Sequence, residues 1–132
     1  MKKTIFITIT LCGILTACST KEDIKPEEHA LQAAKAYYNE LLHADYDSFL
    51  EGTLQDDSIP AAYREQLLLN TRMYMEKQRK THGGIDKVDA LSAKLDTATQ
   101  EVEAYLSISY ADSTKERIVV PMLQKRGIWY MR

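Results

Sequence analysis

From Ala30 onward apolar side chains recur at helical spacing: Ala30, Ala34, Tyr37, Tyr38, Leu41 and Leu42 share one face, with Gln32, Lys35, Asn39 and Glu40 largely on the other. Pro26-Glu27-Glu28 suits a first turn, because proline there forfeits no helical hydrogen bond and acidic groups oppose the positive end of the helix dipole. The spacing predicts a helix over 26–43. Ala44-Asp45 breaks it, and Tyr46, Phe49 and Leu50 predict a short second helix ending at Gly52. Gln55-Asp56-Asp57-Ser58 is a polar connector, in which Asp57 or Ser58 is placed to cap a third helix with Pro60 in its early turn. That helix runs to Thr81-His82, where Gly83-Gly84 supplies the left-handed residue that terminates helices. Tyr63, Leu67 and Tyr74 make one stripe along it, while Leu69 and Met73 fall elsewhere, which predicts contact on more than one side.

After Ile85 the period changes from helical to alternating. Val88, Ala90, Leu91, Ala93 and Leu95 mark a first strand whose register the pattern leaves open. The second is plainer: Val102, Ala104, Leu106, Ile108 and Tyr110 alternate with Glu101, Glu103, Tyr105, Ser107 and Ser109, giving one buried and one mostly polar face. Ala111-Asp112-Ser113-Thr114 reads as a hairpin turn into a strand over 115–125, apolar on both faces, where Pro121 predicts an edge position or a bulge. Lys125-Arg126-Gly127 turns the chain into a final strand, Ile128-Trp129-Tyr130-Met131. Helices first and an antiparallel meander afterwards predict an α+β domain over 26–132.

The first 17 residues are of another kind. Met1-Lys2-Lys3 is a positive start, and Thr4 to Leu15 is uncharged and rich in Ile, Leu and Thr. This stretch is shorter than the roughly 20 apolar residues of a spanning helix, but it suits the apolar region of a signal peptide. Leu15-Thr16-Ala17-Cys18 resembles the lipobox of bacterial lipoproteins. The resemblance implies cleavage between Ala17 and Cys18, with acyl chains carried by Cys18 and the mature protein held on a membrane. Residues 18–25, polar and charged, then form a tether. Ser19 follows the cysteine, so the aspartate of the inner-membrane retention signal is absent, and Lys21-Glu22-Asp23 resembles a surface-export signal of certain lipoproteins. The expected location is the cell envelope, at the outer membrane.

Composition narrows the chemistry. Of two cysteines, Cys12 leaves with the signal peptide and Cys18 is taken by lipid, so no thiol is left for a disulfide, a zinc site or a nucleophile. Without Lys2 and Lys3 the mature chain has 15 basic and 19 acidic side chains, a net charge of −4, which argues against a nucleic-acid partner. His29, His43 and His82 are widely spaced and lack acids at ligand spacing, so no metal or other cofactor is expected.

The helix with paired tyrosines, the Ala44-Asp45-Tyr46 step, Gly83-Gly84-Ile85 opening the sheet and the closing Lys125-Arg126-Gly127-Ile128-Trp129-Tyr130 together resemble the small lipoproteins with an NTF2-like (cystatin-like) DUF4878 domain. The resemblance covers residues 28–132 and implies a curved antiparallel sheet wrapped around N-terminal helices, a cone able to hold a small ligand. One departure is that Gln55 to Ile59 gives little room for the extra strand many such folds place there.

Enzymes of this fold place an acidic or histidine base and a tyrosine inside the cone, for which Asp45, His43, Tyr37, Tyr38 and Tyr110 are the available groups. Capping accounts for Asp45 without catalysis. The expected pocket is apolar with a few hydroxyls, formed by Tyr38, Leu42, Leu106, Ile108 and Tyr110 with Trp129 or Tyr130 closing one end, and suits a small hydrophobic ligand better than hydrolysis. Tyr105, Val119 and Leu123 on the opposite sheet face offer a surface for a protein partner or a second copy. The leading expectation is a non-enzymatic binding domain. The alternatives are a lipid-anchored enzyme using the cone, or a structural subunit of an envelope complex.

Overall fold

The computed structural model describes residues 24–53 and 59–132. The signal segment, Ala17 and Cys18, most of the tether and the Asp57/Ser58 cap lie outside the described residues. Among the described residues three helices, α1 (Pro26–Leu42), α2 (Tyr46–Glu51) and α3 (Ala61–His82), precede four strands, β1 (Ile85–Leu95), β2 (Val102–Tyr110), β3 (Lys115–Lys125) and β4 (Ile128–Met131). The strands form one antiparallel sheet in the order β1-β2-β3-β4.

α1 starts at Pro26 and buries Ala30, Leu31, Ala34 and Leu41. Ala30 and Ala34 are fully buried, and such short side chains let the helix axis approach the sheet closely. α2 is capped by Asp45, whose carboxylate accepts from the Ser48 amide at 3.1 Å and the Ser48 hydroxyl at 2.7 Å. α3 begins two or three residues later than a cap at Ser58 or Asp57 predicts: Pro60 is its N-cap, and the Pro60 carbonyl accepts from the Tyr63 and Arg64 amides. It ends on Gly83 at φ +80, the left-handed conformation that a residue without Cβ adopts at least cost.

The inward face of β2 is Val102, Ala104, Leu106, Ile108 and Tyr110, all buried. β1 has register shifts between Ile85 and Lys87 and between Ala90 and Ser92. Each bulge moves the alternation by one residue, so Ile85, Val88, Ala90, Ala93 and Leu95 all meet the inward face of β2. This is why strict alternation fails to fix the register of β1. The bulges also add twist, which wraps the sheet over α1.

Pro121 lies in β3, which is an interior strand rather than an edge. Its carbonyl accepts from the Arg132 amide at 2.9 Å, just beyond the last residue of β4. The polar groups of Pro121 therefore point past the end of β4, where a missing N–H costs no ladder bond. Arg126 and Gly127 both have positive φ, the backbone of a tight two-residue turn joining β3 to β4. On the free side of β4, Thr53 makes a parallel bridge to Met131, and the Met131 amide donates to the Gly52 carbonyl at 2.7 Å.

The core joins Ala30, Leu31 and Ala34 of α1 to inward residues of all four strands, with Trp129 and Met131 closing it on β4. Among the described residues, no helix is long and apolar enough to cross a membrane.

Candidate functional site

α3 is packed less closely than α1. Of its 22 residues only Thr71 is buried. Arg64, Leu67, Leu68, Thr71, Met75, Gln78 and His82 recur at three- and four-residue spacing as the face turned toward the domain, yet Leu67, Leu68 and Met75 stay half-buried. Tyr38, Leu42 and Phe49 are likewise half-buried. Leu42 and Met75 among them border open space, whereas Tyr38 and Phe49 pack edge to face with ring centroids 5.5 Å apart.

On one side of α3 this space is a groove of about 560 Å³ between α3, the end of α1, α2 and the start of β1. Leu41, Leu42, Tyr46, Met75 and Ile85 line part of it, and the charged side chains Arg72, Glu76 and Arg79 line another part. Arg79 is held by Glu76 through two hydrogen bonds of 3.0 and 2.5 Å. The volume lies within the range of small-molecule sites, about 300 to 1,000 Å³.

On the other side of α3 two tyrosines, Tyr74 and Tyr110, meet the Glu116 carboxylate. The Tyr110 hydroxyl donates to Glu116 at 2.5 Å, and Tyr74 is hydrogen-bonded to Tyr110. Burial, then the bond to Glu116, holds the Tyr110 hydroxyl well above the ordinary tyrosine range. Burial, with Tyr74 adding to it, pushes Tyr38 up to about 12. These hydroxyls stay protonated and act as hydrogen-bonding groups, not as acids near neutrality.

His82 stacks on the Tyr110 ring, centroids 4.3 Å apart, and its Nδ1 lies 2.9 Å from Asp112 Oδ2. Thr114 donates its hydroxyl to Asp112 Oδ1 at 2.5 Å. The Asp112 and Ala111 amides donate to the carbonyls of His82 and Gly84. This corner clamps the β2–β3 hairpin to the end of α3. The Thr114 hydroxyl first, then His82, pulls the Asp112 carboxyl down to about 2.

Tyr38, Leu42, Leu106, Ile108, Tyr110 and Trp129 all belong to the core or pack against it. Leu106 and Ile108 are 0% exposed in mid-sheet. Tyr110 and Trp129 stand at opposite ends: Ile108, two residues before Tyr110, pairs with Glu116, and Trp129 pairs with Gln124, up to roughly 26 Å along β3 at about 3.3 Å per residue. Tyr37 reaches the Trp129 end, where its hydroxyl donates to the Trp129 carbonyl at 2.7 Å. Of the six, only Leu42 lines the groove beside α3.

Asp45 is the α2 cap, and hydrogen bonds from Ser48 lower its pKa. His43 turns its Nδ1 to the Asn39 carbonyl at 2.8 Å, at the end of α1. Neither points into the space under α3. Met75 and Glu116 carry no signal in the sequence, whereas His82 reads there only as a helix end and a rejected metal ligand and Asp112 only as a turn residue. Glu116 stands in a polar run after a turn, and its position beside Tyr110 follows from the β2–β3 register alone.

On the outer sheet face Tyr105 lies opposite Val119, and Leu123 opposite Tyr130. Arg117 sits 4.9 Å over the Tyr105 ring, whose hydroxyl donates to Glu103. Val119 is 49% and Ile128 51% exposed, leaving an apolar strip on this face.

No protein-family model matches the chain, and no curated protein aligns with it significantly. Among solved structures, the chain is similar to a Campylobacter jejuni protein described as a candidate NTF2-like transpeptidase, with a TM-score of 0.60 at 10% identity over 76% of this chain and 94% of that one. Helices followed by a curved four-stranded antiparallel sheet, superposing on nearly all of that protein, make the fold of this chain NTF2-like.

Proposed function

We propose that this chain is a lipid-anchored protein of a bacterial cell envelope, most simply of the outer membrane, whose NTF2-like domain binds a small, largely apolar molecule. The observation that carries the binding reading is a groove of about 560 Å³ beside α3, into which Leu42, Met75 and Ile85 remain part-exposed. A ligand there would bury Leu42, Met75 and Ile85 further, at about 25 cal/mol per Å² of apolar area removed from water. The anchoring reading is carried by Leu15-Thr16-Ala17-Cys18 behind a basic start and an apolar stretch. Membership of the DUF4878-type lipoproteins is part of the same proposal.

Binding is favoured over catalysis because the proton-carrying groups beside α3 are committed to one another, Tyr110 to Glu116 and His82 to Asp112. The test is purification of the native protein from its membrane, followed by mass spectrometry of co-purified small molecules. One apolar compound, lost when Met75→Trp fills the groove of an otherwise stable protein, is the expected result. A protein that carries the same compounds with and without that substitution refutes the site. Cys18→Ser should abolish acylation and leave the precursor uncleaved; normal acyl labelling of that variant refutes the anchor.

The strip of Val119, Ile128, Leu123, Tyr105 and Tyr130 favours a second reading, assembly with a partner or a second copy through the outer sheet face. Sedimentation of the wild-type protein and of Val119→Glu decides it: a complex that dissociates in the variant supports assembly, and a monomer in both removes it.

A further inference from the structure

α3 turns Leu69 and Met73, one helical turn apart, away from the domain, where they are 48% and 61% exposed. Scattered apolar residues are ordinary on protein surfaces. Here they stand on a helix with five basic and two acidic side chains, a net +3, in a mature chain of −4. The remainder of that chain therefore has 10 basic against 17 acidic groups, so positive charge is gathered on α3. Arg72, Lys77 and Lys80 flank Met73, and Glu76, the acid among them, is shared by Arg79 and Lys80.

We propose that the outward face of α3 docks on an anionic phospholipid bilayer, with Leu69 and Met73 entering the headgroup boundary and Arg72, Lys77 and Lys80 meeting the phosphates. Apolar residues on one face with lysine and arginine around them are the chemistry of a helix lying in a membrane interface. Long basic side chains suit the edge of such a contact, since their stems cover apolar surface while their charges reach the headgroups. Charge complementarity selects this occupant, because an acidic domain would turn α3, the basic one of its described helices, toward a negative surface.

The inference rests on the anchoring reading, which places the domain within a short tether of that surface. Eight tether residues, 18–25, reach at most roughly 29 Å. Lipid anchoring makes docking intramolecular and raises the effective concentration of the bilayer at α3.

The test uses the mature lipidated protein in vesicles of phosphatidylcholine, with and without phosphatidylglycerol. Cys18 is consumed by lipid, so a cysteine at Gln66→Cys, on the outward face of α3, or at Thr97→Cys, in the β1–β2 turn, is the single site for an environment-sensitive fluorophore. The label at 66 should be shielded several-fold from an aqueous quencher in phosphatidylglycerol vesicles, and the label at 97 should not. Shielding should fail in Met73→Asp and Lys77→Glu variants, and at 1 M salt, where the screening length falls to about 3 Å. Equal accessibility at 66 and 97 overturns the proposal. So does equal shielding in phosphatidylcholine alone, or shielding in detergent without vesicles, which would assign the face to a protein. Mass spectrometry of the N-terminal peptide reports the anchor separately. If Cys18 is unacylated the anchoring reading fails, and the same labels with vesicles added, in a chain with Cys12 and Cys18 replaced by serine, decide for α3 alone.

Discussion

Gly52 lies against the ring of Tyr37 so closely that a methyl group on its Cα would stand 2.4 Å from Tyr37 Cδ1. Its backbone is ordinary right-handed helix, φ −75 and ψ −8, so glycine is required here for space and not for conformation. At this junction the Tyr37 hydroxyl holds the Trp129 carbonyl and the Gly52 carbonyl holds the Met131 amide, tying α1, α2 and β4 together. Gly52→Ala should therefore cost about 1 to 3 kcal/mol in urea unfolding, the usual range for overpacking. Tyr37→Phe, which removes one hydrogen bond and little volume, should cost about 1 kcal/mol. A neutral Gly52→Ala would mean that the junction relaxes freely.

Leu106 and Glu103 test the register of β2. Leu106 is fully buried between Ala90 and Ile118, whereas Glu103 is exposed on the outer face, where it accepts from Tyr105. Leu106→Asp loses apolar packing and buries an unpaired charge, and should cost at least about 3 kcal/mol. Glu103→Ala should stay within about 0.5 kcal/mol. Comparable losses in denaturant titration would place the wrong face of β2 in the core.

The clamp at Asp112 makes an acid-sensitive corner. Its carboxyl sits at about 2 in the folded protein against 3.8 ordinarily, so its contribution is complete above about pH 4 and is lost as pH falls through about 2. Stability measured at stepped pH should drop more steeply over that window in the wild type than in Asp112→Asn. Asp45 and Glu76 are lowered as well and titrate in both proteins, so the difference isolates Asp112. Parallel curves would show that the bonds to Thr114 and His82 do not hold in solution.

Tyr38 gives the opposite limb. Its hydroxyl, raised from 10.0 to about 12 by burial, favours the folded state below about pH 10, and that contribution disappears as pH rises through about 12. Tyrosinate absorbance should lag behind the total tyrosine count until the protein unfolds. Tyr38→Phe should shrink the lagging fraction. An unchanged titration would mean that Tyr38 is open to solvent.

Elements were legible wherever one residue's neighbours along the chain decide its state. Proline and acids at the start of α1, glycine after α3 and strict alternation in β2 depend on local geometry, and the predicted helix bounds differ from those observed by up to three residues. The bulges of β1 and the interior position of Pro121 depend on which strand lies alongside and where it ends. No local pattern carries that, because pairing joins residues far apart in sequence.

The same division runs through the candidate site. The sequence by itself determined an α+β order of elements, the inward set Leu106, Ile108 and Tyr110, and the capping role of Asp45, since each follows from periodicity or from a side chain meeting its own backbone. Tertiary structure alone decided that Tyr110 would meet Glu116 and stack on His82, that Trp129 would stand at the far end of the sheet, and that α3 would stay half-buried beside a groove. A contact between residues 30 apart, such as His82 and Asp112, exists only once the sheet has fixed the hairpin against the helix end. Its energy comes from geometry that the separate segments do not possess.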